Sequence, residues 1–386
     1  MSRMQFGVFI PPHHVPTNYN PTLALQHDIE IVKLLDTIGY DEAWFGEHHS
    51  GGVELINDPM LFIAHVAPQT RNLRLGTGVV SLPYHNPLWV ADKLALLDHL
   101  TRGRVILGVG PGALASDAAM IGIQPSEQRD ALDFDMDVLM HLITSDEPIS
   151  VETSRYKLVE ARLQLDFYQD PHPPIVAAAV VSPSGPRIAG KHGLGLISIG
   201  ATMKAGVDVL AMHWDVLEAR AKEFNQKADR DAWRIVNIMH LAKTKDQAIK
   251  DIQYGLKDWC EYIKHTAAAP QIQVSGNDIS GYLEWIGDNA SVVIGTYKDA
   301  IEHIESLIEI SDGGFGNFLL FDHNWCELET KKQHYELFAN YVIPHFKKTN
   351  LKMKSSEKAL REIRDPLAEA QQEAIIEYKK RHLKTE

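Results

Sequence analysis

Two short runs of the sequence place histidines where an enzyme could use them for proton transfer. The first run is PPHH, which ends in His13 and His14, and the second is EHHSGG, which contains Glu47, His48 and His49. Imidazole titrates near neutral pH, so a histidine in a closed cavity can serve as a general base or hydrogen-bond donor. The alternative is that some of these side chains only pack or cap a loop.

Two glycine-rich runs could form a flat surface for a ligand. One is GTGV at 76–79, which includes Gly78 and Val79, and the other is GVGPG at 108–112, which includes Gly110. Glycine lacks a Cβ atom, so the backbone at these positions can approach a planar ligand closely. Neither run has the GxGxxG spacing of a dinucleotide-binding turn, and each is weak evidence when taken alone.

A third run, VVSPSGP at 180–186, combines serines with the predicted start of a helix. Ser182, Ser184 and free backbone N–H groups at such a helix start can bind a phosphate, although the same residues could be an ordinary helix cap. Together with the glycines and histidines, this run indicates a planar, phosphorylated cofactor such as FMN. Its phosphate would lie near the fifth and sixth strands.

The elements that must position these residues alternate along the chain in a β-then-α order. Eight apolar runs predict strands near 4–10, 42–46, 73–80, 104–109, 174–179, 195–199, 234–242 and 316–321. Stretches of helical period separate them, near 21–38, 58–70, 87–101, 124–143, 185–192, 203–228, 246–266, 297–310 and 327–345. This order favours an α/β fold, a closed (β/α)8 TIM barrel, over an open Rossmann-type sheet. In such a barrel, the residues just after each strand form the active site.

Three stretches exceed a minimal barrel, which we expect to occupy residues 1–350. Residues 145–173 are polar and hairpin-like, and residues 264–290 contain small, polar and aromatic residues that suit a lid. Residues 351–386 form a charged, helix-prone extension in which we expect Pro366 to break the helix. This tail is expected to be a solvated helix or a subunit contact.

Composition excludes several classes of protein. The 386 residues carry a formal net charge of −13, which argues against general binding to nucleic acid or anionic membranes. The two cysteines, Cys260 and Cys326, do not form a disulfide framework, and no apolar run reaches the length of a membrane span. The first residues show no signal-peptide pattern, so we expect a cytoplasmic enzyme.

Four blocks of the sequence resemble the bacterial-luciferase-like, flavin-dependent monooxygenases and occur in the family's order. They are GYDEAWFGEHHSGG at 39–52, LRLGTGVVSLPYHNP at 73–87, LDHLTRGRVILGVGPG at 97–112 and PPIVAAAVVSPSGPRIAGKHGLG at 173–195. The resemblance extends from about residue 4 to residue 345. The opening PPHH and the run EHHSGG are most similar to limonene 1,2-monooxygenase-like members.

The resemblance implies roles at the flavin ring. His48 matches the histidine that assists oxygen chemistry, and Glu47 and His49 flank it. Gly78-Val79 matches a non-prolyl cis peptide that lies under the flavin ring in this family.

Phosphate-binding roles follow in the same way. Arg129 matches a phosphate-binding arginine, and Ser182, with the neighbouring Val181, Ser184 and Gly185, matches the rest of the phosphate site.

On the substrate side, Asp117 falls on an acidic position of the family's active-site loop, and we expect His13 and His14 to face the substrate. Tyr282 and Trp285, in the predicted lid, are expected to close over it.

One departure separates this chain from luciferase itself. Where luciferase has a reactive cysteine after the fourth strand, this chain has Gly110, and Pro111 replaces the arginine that follows. The departure argues against light emission from a long-chain aldehyde. It also places more of the phosphate binding on Arg129.

The resemblance implies a two-component reaction. A separate NAD(P)H-dependent reductase would supply reduced FMN, which would react with O2 to form a C4a-peroxyflavin that the barrel protects from water. One oxygen atom would then enter a small apolar substrate, such as a terpene, by alkene epoxidation or ketone oxygenation. A homo- or heterodimer is expected.

Three other functions stay open at this point. A deazaflavin-dependent oxidoreductase would use the same barrel for hydride transfer. A metal-dependent hydrolase would need His13, His14, His48, His49 and the pair Asp322-His323 to converge on a metal ion. A flavin-binding relative without turnover is the third possibility.

Overall fold

The computed structural model describes residues 3–11, 13–14, 19–267, 272–288 and 291–383. Its strands are β1 (Gln5–Ile10), β2 (Glu42–Phe45), β3 (Arg74–Thr77), β4 (Val80–Ser81), β5 (Val105–Gly110), β6 (Ile149–Glu152), β7 (Lys157–Ala161), β8 (Ile175–Ala179), β9 (Gly195–Ser198), β10 (Trp233–Leu241), β11 (Val292–Gly295) and β12 (Asn317–Phe321).

Eight parallel strands close into a barrel, which confirms the predicted fold. The order around the ring is β1, β2, β3, β5, β8, β9, β10 and β12, and β12 pairs with β1 again. All eight strands predicted from the sequence are present. Two short strands were not predicted: β4 continues the path of β3 and pairs with β5, and β11 pairs with the second half of β10.

Helices follow the barrel strands and cover the outside of the ring. They are α1 (Pro21–Ile38), α2 (Pro59–Val66), α3 (Pro87–Thr101), α4 (Ala115–Ile121), α5 (Gln128–Thr144), α6 (Ser184–His192), α7 (Lys204–Val207), α8 (Leu210–Glu223), α9 (Lys245–Ile252), α10 (Leu256–His265), α11 (Ile279–Asp288), α12 (Tyr297–Ile310), α13 (Leu328–Leu337), α14 (Ile343–Lys347) and α15 (Leu351–His382). Local signals fix several ends. The Asn20 side chain caps α1, and Gly39 ends it in the left-handed region at φ 89°.

Apolar side chains fill the barrel interior. Seven of the eight barrel strands each contribute one buried residue to this cluster, namely Phe9, Trp44, Ile106, Val176, Ile197, Val236 and Leu319. On β3, Gly76 pairs in register with Trp44, and a Cβ atom there would lie 2.5 Å from the Trp44 ring. Gly76 therefore makes room for Trp44 in the core, which corrects our expectation that it forms a surface for a ligand.

Nearer the amino ends of the strands, a buried ion pair crosses the barrel. Arg234 on β10 donates from Nη2 and Nε to the two carboxylate oxygens of Glu42 on β2, at 2.7 and 2.8 Å. Trp44 Nε1 donates to the same carboxylate at 2.9 Å. The three hydrogen bonds satisfy a charge that is fully buried, as an interior carboxylate requires.

The segments outside the barrel follow the predictions in part. Strands β6 and β7 form the antiparallel hairpin expected within 145–173. In the predicted lid, α11 is a helix that we did not foresee, while residues 268–271 and 289–290 lie outside the described residues. The tail forms α15, in which every residue is exposed. The expected break at Pro366 is wrong, because the helix runs through the proline. Within the described part of the chain, no helix has the length and apolar character that crossing a membrane requires.

Candidate active site

A cavity of about 380 Å³ opens at the carboxyl ends of the barrel strands. This volume lies in the range of small-molecule sites. Its walls come from residues at or after the carboxyl ends of β1, β2, β3, β5, β8, β9 and β12, together with residues of α5 and α10. They include Phe9, His13, Glu47, His48, Glu54, Gly78, Val79, Arg129, Ala178, Val181, Ser182, Ser184, Ile199, Trp259, Tyr262 and Phe321.

His48 is held between two carboxylates at one end of the cavity. Its Nδ1 lies 2.9 Å from Oδ2 of Asp117, and its Nε2 lies 3.0 Å from Oε2 of Glu54. Burial alone would lower the pKa of His48, but the charges of Glu54 and Asp117 outweigh it and raise that pKa. Asp117 also accepts hydrogen bonds from Ser50 Oγ and the His49 amide.

Glu47 is a buried carboxylate that contacts two other histidines, His49 and His85. Its carboxylate is bonded to His49 Nε2 and His85 Nε2, each at 2.8 Å, and accepts from the Ser81 amide at 2.9 Å. Burial would raise the pKa of Glu47, but these hydrogen bonds lower it to about 2. Glu47 is therefore ionised and orients the ends of β2 and β4. His49 does not line the cavity, and the direct chemical role that we expect for Glu47 and His49 stays a prediction.

The two histidines after β1, His13 and His14, contact different parts of the protein, because the side chains of neighbouring residues point in different directions. His13 lines the cavity and packs edge-on against Tyr262, with ring centroids 5.0 Å apart. Burial, helped by the charge of His14, lowers the pKa of His13 to about 3, so its imidazole is neutral. His14 instead bonds to Asp28 on α1 at 2.9 Å and lies outside the cavity lining, contrary to its predicted place beside a substrate.

Gly78 and Val79 form one wall of the cavity, and the peptide between them is cis, as the resemblance implies. Gly110 does not line the cavity. A Cβ atom there would lie 2.7 Å from Cγ2 of Val79. Gly110 therefore acts behind the wall, by making room for Val79, rather than by direct contact with a cofactor.

Polar groups line the cavity around the start of α6, where the resemblance places the phosphate. Ser182 and Ser184 line it with Val181, and α6 begins at Ser184 without a side-chain cap. Arg129 also lines it and makes no ion pair with any described residue. Gly185 lies behind: a Cβ atom there would meet the Ala178 carbonyl oxygen at 2.1 Å, so this glycine lets α6 pack against β8.

The aromatic residues that face the cavity come from α10, not from the predicted lid residues. Trp259 and Tyr262 line the cavity. Tyr282 is buried outside it and donates to Glu261, while Trp285 stacks on Trp259 at 6.2 Å between centroids. Our placement of Tyr282 and Trp285 over the substrate is therefore wrong for this structure, because both pack behind α10.

Sequence analysis missed Glu54, Ser81, His85, Trp259 and Tyr262 as residues of this site. His85 and Ser81 lie within LPYHNP and its preceding residue, a block already singled out, so the motif held a signal for them. No sequence motif indicated Glu54, because it reaches His48 from the loop after β2.

The geometry also bears on a metal-dependent hydrolase. Such a site needs ligand atoms that converge. Here His14 bonds to Asp28, His48 to Asp117 and Glu54, and His49 to Glu47. Three of the four histidines thus have separate carboxylate partners, which argues against all four binding one ion.

The chain is similar to known proteins over most of its length. Residues 4–325 match the family of luciferase-like monooxygenases. The chain is 41% identical to limonene 1,2-monooxygenase of Rhodococcus erythropolis over 89% of its own length and 87% of that protein. It is 39% identical to 4-hydroxyprotoasukamycin monooxygenase of Streptomyces nodosus subsp. asukaensis, covering 90% and 93%.

A solved structure shares the fold. It is the oxygenating constituent of 3,6-diketocamphane monooxygenase from Pseudomonas putida, a type II Baeyer–Villiger monooxygenase in complex with FMN. The TM-score is 0.72 at 22% identity, over 89% of this chain and 98% of that one. The family match and the full-length relatives together place this chain in the luciferase-like monooxygenase family.

Proposed function

We propose that this chain is a monooxygenase that uses reduced FMN and O2 to oxygenate a small apolar substrate. The observation that carries the proposal is the polarity of one cavity. Arg129, Ser182 and Ser184, which lie on α5 and just after β8, line it where a phosphate would bind, and His48 with its two carboxylates lies just after β2, three places away around the ring of strands. Apolar residues such as Phe9, Val79 and Phe321 line the same cavity.

The residues present fit FMN. At the start of α6 the N-cap residue Pro183 makes no side-chain hydrogen bond, and the Ser184 amide donates to Ser182 Oγ at 3.3 Å, so both hydroxyls and the helix start lie together where a phosphate could bind. Arg129 has no described carboxylate as a competing partner. The walls formed by Phe9, Val79 and Phe321 suit a planar ring. When bound, reduced FMN would supply the electrons that activate O2.

The chain's own residues would bind the cofactor and the substrate, exclude water and hold a proton. Apolar side chains around the ring position keep water from the reacting atoms. His48, whose pKa its two carboxylates raise, lines the same cavity, where its imidazolium form can stabilise negative charge that develops on oxygen. The neutral His13 and Tyr262 border the remaining space, where a substrate would lie.

The substrate and partners complete the proposal. We expect a terpene-like alkene or a cyclic ketone, because two relatives oxygenate compounds of these kinds, as their names state. A separate NAD(P)H-dependent flavin reductase would supply the reduced FMN. A homo- or heterodimer is expected, and light scattering of the purified protein gives the mass that tests it.

The proposal is tested against a deazaflavin-dependent oxidoreductase on the same barrel. The protein is mixed with reduced FMN, O2 and either limonene or camphor, and oxygen consumption is compared with and without the organic compound. We expect consumption linked to the compound and an oxygenated product with FMN, and no turnover with a reduced deazaflavin. Turnover with deazaflavin alone, without oxygen uptake, would reverse the assignment.

Replacing Arg129 by alanine is expected to weaken FMN binding about tenfold while leaving riboflavin binding unchanged, since a charged hydrogen bond to phosphate is lost. Fluorescence titration of both flavins measures the two dissociation constants. Arg71→Ala, an exposed arginine that does not line the cavity, is the control. An equal loss for FMN and riboflavin would show that Arg129 does not contact the phosphate.

A further inference from the structure

Glu54 occupies a position that no sequence motif predicts, and the fold holds it there firmly. It follows β2 in a loop that pairs back on the segment after β1, through a bridge between His13 and Glu54. The His14 amide donates to the Val53 carbonyl at 2.7 Å, and the His48 amide to the Ile56 carbonyl at 3.1 Å. Backbone hydrogen bonds on both sides thus fix the Glu54 side chain opposite His48.

The two carboxylates of His48 differ in their surroundings. Asp117 is 1% exposed, lies outside the cavity lining and accepts from Ser50 and His49 as well as His48. Glu54 lines the cavity, and its only ion pair among the described residues is with His48. Asp117 is therefore a structural anchor, whereas Glu54 is the carboxylate that a bound molecule would meet.

This arrangement leaves His48 without a free lone pair. A neutral imidazole has one N–H donor and one acceptor nitrogen, so it can donate to only one of two carboxylates. Imidazolium has two N–H donors and satisfies both Asp117 Oδ2 and Glu54 Oε2. While both carboxylates are ionised, the geometry therefore favours the charged form of His48.

We propose that Glu54 is a positioning residue that keeps His48 protonated, so that His48 enters the reaction as an acid rather than a base. The acid role rests on the proposed monooxygenase function, whereas the charge state of His48 does not. In the reaction, the Nε2 proton would pass to an oxygen atom in the cavity. His48 would be left neutral, with its Nδ1–H still bonded to Asp117, and would regain a proton from solvent.

The other titratable groups that we find around Glu54 carry no positive charge that could balance its carboxylate in place of His48. They are His13, which is neutral, Asp117, which carries the same charge, and Tyr262, whose pKa burial and the charge of Glu54 raise. Burial also raises the pKa of Glu54 itself, against the effect of His48. The raised pKa of His48 means that its charged form is complete at low pH and disappears as the pH rises through that value.

The test is an NMR titration of the His48 ring in the flavin-free protein, in the wild type and in Glu54→Gln. Glutamine keeps the size of the side chain and removes its charge. We expect the pKa of His48 to fall by about 1 to 2 units in Glu54→Gln, because an opposite charge in contact has been lost. Glu54→Asp, which retains a carboxylate, should recover part of the shift. Glu302→Gln, on the exposed side of α12, is the charge-matched control and should leave His48 unchanged.

A second readout separates this proposal from the proposed function. If the protein oxygenates a substrate, its rate should fall as the pH rises through the pKa of His48. In Glu54→Gln, this fall should occur at a pH that is lower by the same amount, about 1 to 2 units. An unchanged His48 titration in a folded Glu54→Gln protein overturns the proposal whether or not oxygenation occurs. A rate that rises as His48 loses its proton would show a base and contradict the acid role. Absence of oxygenation, with the expected titration shift, would contradict the proposed function and confirm that Glu54 keeps His48 charged.

Discussion

Replacing His48 by alanine is expected to reduce formation of oxygenated product by about 100-fold or more, because general acid–base groups contribute on that scale. The fold and FMN binding should change little, since His48 belongs neither to the apolar core clusters nor to the residues expected to bind the phosphate. Oxygen uptake should continue, with hydrogen peroxide as the product in place of oxygenated substrate. The ratio of peroxide to product, measured at equal flavin occupancy, checks the expectation.

The control for this variant is His14→Ala. His14 belongs to the other histidine pair, bonds to Asp28 and does not line the cavity. It should retain the wild-type ratio of product to peroxide, although its stability can fall with the lost ion pair. An unchanged product yield in His48→Ala would remove His48 from the mechanism.

Replacing Glu42 by glutamine is expected to lower the free energy of unfolding by about 3–5 kcal/mol, the range found when one partner of a buried ion pair is removed. Arg234 would keep its charge inside the barrel without a carboxylate, and both side chains are almost inaccessible to water, at 5% and 0% exposure for Arg234 and Glu42. Burial would raise the pKa of Glu42, but the adjacent Arg234 lowers it, so the pair is charged at neutral pH.

Urea unfolding followed by circular dichroism measures this loss. Glu357→Gln is the matched control, because Glu357 pairs with Arg361 on the exposed helix α15, where an ion pair contributes about 0.5 kcal/mol. A loss below about 1 kcal/mol in Glu42→Gln would mean that the barrel relaxes enough to hydrate Arg234. The variant should keep its affinity for FMN in the folded state, because the pair lies at the amino ends of the strands.

The barrel was predictable because its information is local. Each barrel strand is a short apolar run between turn residues, and β-branched or aromatic side chains at these positions are buried on both faces. The short elements were not predictable in the same way. Gly281 and Gly287 lower the helix propensity of α11, which packs against α10 and β11 in the folded protein. Pro366 failed as a helix stop for the converse reason, since the turns on both sides are strong helix formers.

The site was predictable where a residue directly follows a barrel strand or lies in a block shared with a known family. His48 is a case of the first kind, and the cis peptide at Gly78-Val79, which the resemblance implies, is a case of the second. Glu54 was not, because its position depends on a backbone bridge to His13. Whether α10 or α11 supplies the aromatic residues of the cavity likewise depends on how the two helices pack. Trp259 of α10 and Trp285 of α11 stack on each other in this contact.

The central claim is that the cavity holds reduced FMN and protects its reaction with O2 from water. Its most direct test is a stopped-flow experiment in which the protein, loaded anaerobically with reduced FMN, is mixed with oxygenated buffer. We expect a transient absorbance spectrum that differs from those of both reduced and oxidised FMN. This transient should last longer than free reduced FMN takes to react with O2. Direct conversion to oxidised FMN, at the rate of the free flavin, would contradict it.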